Sequence, residues 1–79
     1  MQTGFFIILK KVRYSEADLI ITALSSKGEK KSFLARNALK SKKRFGGGVL
    51  EPTHYVKLTF QDREDRNQLN ILEEAQLIN

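Results

Sequence analysis

The sequence predicts an all-β fold, a five-stranded Greek-key barrel forming one domain over residues 1–79. Two observations predict it. Apolar residues fall in short runs rich in β-branched and aromatic side chains along nearly the whole chain, the composition that fits a pleated, half-buried surface. One long break, basic and glycine-rich, separates the third run from the fourth. Five strands with that single break is the layout of an OB-fold, a small barrel that binds oligonucleotides. SH3-like barrels, the structural rival, usually join these strands by tighter turns.

The first strand is Phe5-Phe6-Ile7-Ile8-Leu9, continued through Tyr14 in partial alternation. Ser15 to Asp18 breaks it, and Leu19 to Leu24 is the second. Ser25-Ser26-Lys27-Gly28 ends that run with glycine placed late, as a hairpin turn needing positive φ requires. Glu29 to Asn37 is the third strand, followed by the basic loop, with one helical turn expected around Ala38 to Lys42. Pro52 is expected to open the fourth strand, since proline is tolerated at a strand's first residue. There His54, Val56, Leu58 and Phe60 share one face, while Tyr55, Lys57 and Thr59 share the other. Leu69 to Leu77 is the fifth strand, with Glu73 out of pattern; a short helix over Ile71 to Ile78 competes, because Leu72 to Ala75 are good helix formers. Ile8, Ile20, Phe33, Val56, Leu58 and Ile71 are expected in the core.

A domain of 79 residues buries only about 60% of its unfolded surface, so its stability margin is thin. Without cysteine, neither a disulfide nor a cysteine zinc site reinforces it. The apolar run Phe5 to Leu9 is far too short for a signal h-region or a membrane span, and no membrane partner is expected.

Function is written most densely between Arg36 and Pro52. Five cations, Arg36, Lys40, Lys42, Lys43 and Arg44, fall within nine residues, followed by Phe45, the triplet Gly46-Gly47-Gly48, and a chain-turning Glu51-Pro52. Glycine backbone approaches a phosphate chain without side-chain clash. Charge is segregated along the chain as well. Residues 10–44 hold eleven cations, among them Lys10, Lys11 and Arg13, against three carboxylates, a net of +8. Residues 45–79 hold three against six, a net of −3. That asymmetry points to a polyanion-facing side; the plainer reading is a lysine-rich face kept for solubility. Tyr14, Phe45 and Tyr55 are candidates for stacking on unpaired bases. For Phe45 the competing role is to pin the loop to the barrel, and at least one of the three glycines is expected at positive φ.

Enzymatic readings have little support. His54 is the only histidine, without a partner motif for nucleophilic catalysis. Asp62, Glu64 and Asp65 interleave with Arg63 and Arg66 as in a solvated hairpin loop, not a metal site. The glycine triplet lacks the Gly-Lys-Ser/Thr ending of a nucleotide-binding P-loop. No catalytic residue, cofactor or metal is expected.

Three segments resemble a known family. Gly4 to Lys10, Tyr14 to Leu24 and Lys42 to Pro52 look like the N-terminal domain of the bacterial recombination mediator RecO, and Leu69 to Leu77 is similar to that domain's last strand. Ser15 and Asn37 stand where glycine is common, and Thr53 where an aromatic usually follows Glu-Pro. Asn37 is a mild departure, because asparagine tolerates the left-handed conformation. The resemblance implies an OB-fold binding single-stranded and duplex DNA within a cytoplasmic, nucleoid-associated repair protein. Such a protein anneals complementary strands and, with its partner RecR, loads RecA onto DNA coated by single-stranded DNA-binding protein. It also implies a helical C-terminal domain beyond residue 79, so the chain reads as an excised N-terminal domain. Two other classes fit the fold and charge: an RNA-binding OB module, and a protein-interaction barrel whose basic face docks an acidic peptide.

Overall fold

A computed structural model describes residues 1–46, 48–63 and 69–79 of the chain. Its elements are β1 (Gln2–Arg13), β2 (Leu19–Ser25), β3 (Lys30–Ala35), α1 (Lys42–Phe45), β4 (Tyr55–Gln61) and β5 (Asn70–Leu77). The strands close into a barrel in the order β1-β2-β3-β5-β4, with β4 returning to β1. This is the OB-fold ring. All pairings are antiparallel except β3 with β5, which is parallel. Closure therefore runs through β4 rather than by direct pairing of first and last strands.

β1 serves two neighbours because it is long and bends. Gln2 to Ile7 pair with β4, whereas Phe6 to Arg13 pair with β2, and the register shifts between Ile8 and Lys10. The extra residue, Leu9, gives the bulge that curls a strand around a barrel. A second bulge explains why Glu73 falls out of pattern: Thr59 pairs with Glu74 but Phe60 with Leu72. Ile71 and Leu72 are consequently both buried. The strand is formed, not the competing helix, because its pairing with β4 satisfies the backbone that an isolated helical turn would leave open.

Phe6, Phe33 and Phe60 meet edge to face at the centre, with ring centroids 5.1–5.8 Å apart. Around them Ile8, Ile21, Val56 and Leu58 are fully buried. Truncating one such phenylalanine to alanine costs about 3–5 kcal/mol, a large share of what a domain this size has. Ile20 is a correction. It faces outward opposite Leu34, while Ile21 points inward opposite Phe33. The unbroken apolar run Leu19-Ile20-Ile21 carries no alternation to set its phase; pairing with β3 sets it.

Two local expectations shift. Pro52 is exposed in a turn, and the fourth strand begins at Tyr55. Pairing with β1 nonetheless reaches back past it: the Thr53 amide donates to the Ile8 carbonyl at 2.7 Å, and the Ile8 amide to the His54 carbonyl at 3.0 Å. The helical turn forms at Lys42–Phe45 rather than around Ala38 to Lys42. Among the described residues, no helix is long and apolar enough to cross a membrane.

Candidate nucleic-acid interface

The basic segment is a fixed platform, not a slack loop, because its backbone is tied down at several points. Asn37 takes the left-handed conformation, φ 58°, which asparagine adopts more easily than most residues. There its amide donates to the Asp18 carboxylate at 2.7 Å. Leu39 donates to the Ala17 carbonyl at 3.0 Å, and the Lys40 and Ser41 amides fold back onto the Asn37 carbonyl. The segment is thus sewn to the β1–β2 loop. Asp18 is held below its ordinary value of 3.8, first by the Asn37 amide, then by the Ser15 hydroxyl and the Arg36 charge, with desolvation opposing.

Apolar anchors complete the attachment. Ala38, Phe45, Val49 and Leu50 are all buried in the core cluster. Exposed cations therefore alternate with buried pins, which turns Lys40, Lys42 and Lys43 outward. Phe45 is one of the pins, 7% exposed, so it is not available for base stacking; this corrects one of its two expected roles. Gly48 has φ +72°, fulfilling the expectation for the glycine triplet. Gly46 is constrained differently, since a β-carbon there would lie 2.3 Å from the Lys42 carbonyl oxygen. Gly47 lies outside the described residues, as do Glu64, Asp65 and Arg66.

The eight expected cations divide into two kinds. Lys10, Arg36, Lys40, Lys42 and Lys43 are exposed and, among the described residues, form no ion pair. The other three are engaged. Arg44 donates to the Arg36 carbonyl at 2.6 Å, the Glu73 carbonyl at 3.5 Å and the Ser41 hydroxyl at 3.2 Å. Its guanidinium also covers the Phe45 ring at 4.8 Å. Arg44 is accordingly a clamp between α1, β5 and the loop, more engaged within the protein than the other expected phosphate ligands. Arg13 braces the β1–β2 loop through the carbonyls of Ser15 and Glu16. Lys11 is ion-paired with Glu51.

The fold brings the two basic clusters together. Lys11 from the end of β1 and Lys42 from α1 line one cleft, about 220 Å³ in volume, floored by Leu19, Ala38, Phe45 and Leu50. Tyr14 is 63% exposed in the same β1–β2 loop that anchors the basic segment. Tyr55 stands apart from the cleft, half-buried on the outer face of β4 and stacked on Phe5 at 5.9 Å. His54 is half-buried, and its Nδ1 is enclosed without a hydrogen-bond partner among the described residues. Sequence reasoning missed Asp18 as the loop's tether and Glu51 as the partner of Lys11. A lone carboxylate bordering a run of cations was the available signal for Glu51; Asp18 gave none.

The sequence model of the family described as "Recombination protein O N terminal" matches residues 1–79. The chain belongs to that family. The chain is similar to "DNA repair protein RecO" of Syntrophus aciditrophicus, 44% identical over 72 residues, covering 91% of this chain and 27% of the relative. The relative of the same name from Desulfosudis oleivorans is 41% identical over 69 residues, 87% of this chain and 26% of the relative. That from Thermodesulfovibrio yellowstonii is 40% identical over 62 residues. The chain spans about a quarter of the length of the curated relatives it matches.

Proposed function

We propose that this chain is the N-terminal, DNA-binding domain of a longer recombination and repair protein acting in the cytoplasm. The observation that carries the reading is the platform itself: Lys40, Lys42 and Lys43, displayed without carboxylate partners among the described residues, on a backbone pinned by Phe45, Leu50 and the Asp18 tether. Rigid display lowers the entropy lost when phosphates are engaged. Each phosphate contact releases condensed counterions, giving sequence-tolerant affinity that falls with salt. Annealing of complementary strands follows from the same chemistry, since it needs neutralisation of two backbones and no catalytic group. RecR, RecA and single-stranded DNA-binding protein are the partners family membership suggests for the whole protein.

Titration of this chain with single-stranded DNA, duplex DNA and RNA of matched length across a salt series tests the proposal. DNA binding with a negative log–log salt slope supports it. A marked preference for RNA, or binding only to an acidic peptide, overturns it.

A further inference from the structure

We propose that Lys11 is a masked phosphate ligand and that Glu51 is its built-in competitor, an anion of the fold that a nucleic-acid phosphate displaces. The proposal rests on the DNA-binding reading and deepens it, from a fixed display of lysines to a further cation freed when a strand arrives. Lys11 stands on the same cleft as Lys42, and Glu51 is the one carboxylate among the described residues that line it. That carboxylate is ion-paired with the Lys11 ammonium. Carboxylate and phosphate oxygens make the same charge-assisted bond to an ammonium, so Glu51 occupies the place a backbone phosphate would take beside Lys42.

The geometry makes the exchange local. The Glu51 backbone is fixed on both sides: its amide donates to the Gly48 carbonyl at 3.2 Å, and its carbonyl accepts from the His54 amide at 3.2 Å. Only the side chain crosses to β1, passing Gly48, where an added β-carbon would lie 3.6 Å from the Glu51 Cγ. Rotation about its own side-chain bonds therefore frees Lys11 while the turn stays in place. The side chains of Lys11 and Glu51 are 31% and 47% exposed, so solvent screens the pair and hydrates the departing carboxylate. A strand already held by Lys40, Lys42 and Lys43 supplies its next phosphate at high effective concentration, which is what lets it win Lys11 from an intramolecular partner.

Binding of a labelled (dT) oligomer to the wild-type chain, Glu51→Gln, Lys11→Ala and the double variant, across a salt series, tests the exchange. Lys11→Ala should shrink the log–log slope by about 0.7 in both backgrounds, the share of one single-strand phosphate contact. With Lys11 present, Glu51→Gln should raise affinity about 1.5- to 5-fold, the strength of an exposed ion pair, with the slope unchanged. With Lys11 absent, the same substitution should give a smaller gain, since no pair remains to be broken. Carbon-13 NMR of the Glu51 carboxyl gives a readout on the wild-type chain itself: its shift should move as the oligomer is added. A slope that Lys11→Ala leaves unchanged in the wild-type background, or a Glu51 carboxyl that does not move, overturns the exchange and leaves the DNA-binding reading standing. So does an equal gain from Glu51→Gln with and without Lys11, which would make Glu51 a distant charge. Weaker binding by Glu51→Gln would make Glu51 a brace for Lys11 and also overturns it. Failure of the wild-type chain to bind the oligomer removes both readings.

Discussion

The Arg44 guanidinium donates to the carbonyl oxygen of Arg36 at 2.6 Å, fastening one end of the basic segment to the other. Two residues that look alike in a charge count thus act differently: one is displayed, the other holds the display in place. The same guanidinium reaches Glu73 on β5, so α1 is secured to the barrel through a cation rather than by a helix cap; Ser41 forms no side-chain cap bond.

Arg44→Ala is expected to destabilise the domain, because hydrogen bonds from a charged donor contribute about 1.5–3 kcal/mol. The melting temperature should fall by several degrees or more. A Lys42→Ala/Lys43→Ala variant should melt within error of wild type, as exposed substitutions usually stay within about 0.5 kcal/mol. Thermal melts of both proteins decide this; equal losses would show that the basic side chains are not divided between clamp and display.

Within the glycine triplet the expected order of damage is Gly46→Ala above Gly48→Ala. A β-carbon on Gly46 meets a backbone oxygen at 2.3 Å, whereas that on Gly48 meets only the Glu51 Cγ at 3.6 Å. Gly48→Ala then carries the positive-φ penalty alone, roughly 1 kcal/mol. Melting temperatures of the two variants test the order, and an unchanged value for both would mean the turn is not fixed.

Thr53 has φ 76°, an uncommon conformation for a β-branched side chain. Its amide bond to Ile8 at 2.7 Å holds it there. Thr53→Asn should relieve the strain and keep that bond, stabilising the domain by about 0.5–1 kcal/mol. A urea midpoint shifted upward with unchanged slope is the expected result; a lowered midpoint would indicate that Thr53 packing outweighs its backbone strain.

The barrel was legible because its inward residues Val56, Leu58 and Phe60 alternate and its breaks are marked by turn residues. The phase of Ile20 is not legible, because a continuous apolar run leaves it to the partner strand. Charge composition revealed that the Arg36 to Arg44 segment is basic, and a left-handed Asn37 was foreseeable from its chemistry. Nothing in the spacing separates Arg44 from Lys43, since the distinction lies in carbonyls contributed by Arg36 and by Glu73 from a distant strand. The sequence leaves Phe45 open between pinning the loop and stacking on a base for the same reason. Its burial depends on where α1 meets β5.

The tether between Asp18 and Asn37 predicts an acid-sensitive contribution. The Asp18 pKa is lowered in the folded state from 3.8, so the unfolded chain binds its proton more readily. Its contribution is complete above that ordinary value and is lost as pH falls through the lower folded value. Asp18→Asn should therefore be less stable than wild type at pH 7, with the gap closing on acidification below about pH 4. Urea midpoints at pH 7 and pH 3 for the two proteins measure it; a gap that stays constant would assign the tether to the hydrogen bond alone.

The central claim, that the pinned basic segment is where nucleic-acid phosphates bind, is tested most directly by the salt dependence of single-stranded DNA binding. Lys40, Lys42 and Lys43 replaced together by alanine remove three displayed charges while leaving the Arg44 clamp intact. If each lysine contacts one phosphate, the log–log slope should shrink by about 2 units, with the melting temperature unchanged. A slope equal to that of the wild-type chain would contradict the account and move the phosphate-binding surface away from the segment between Arg36 and Gly48.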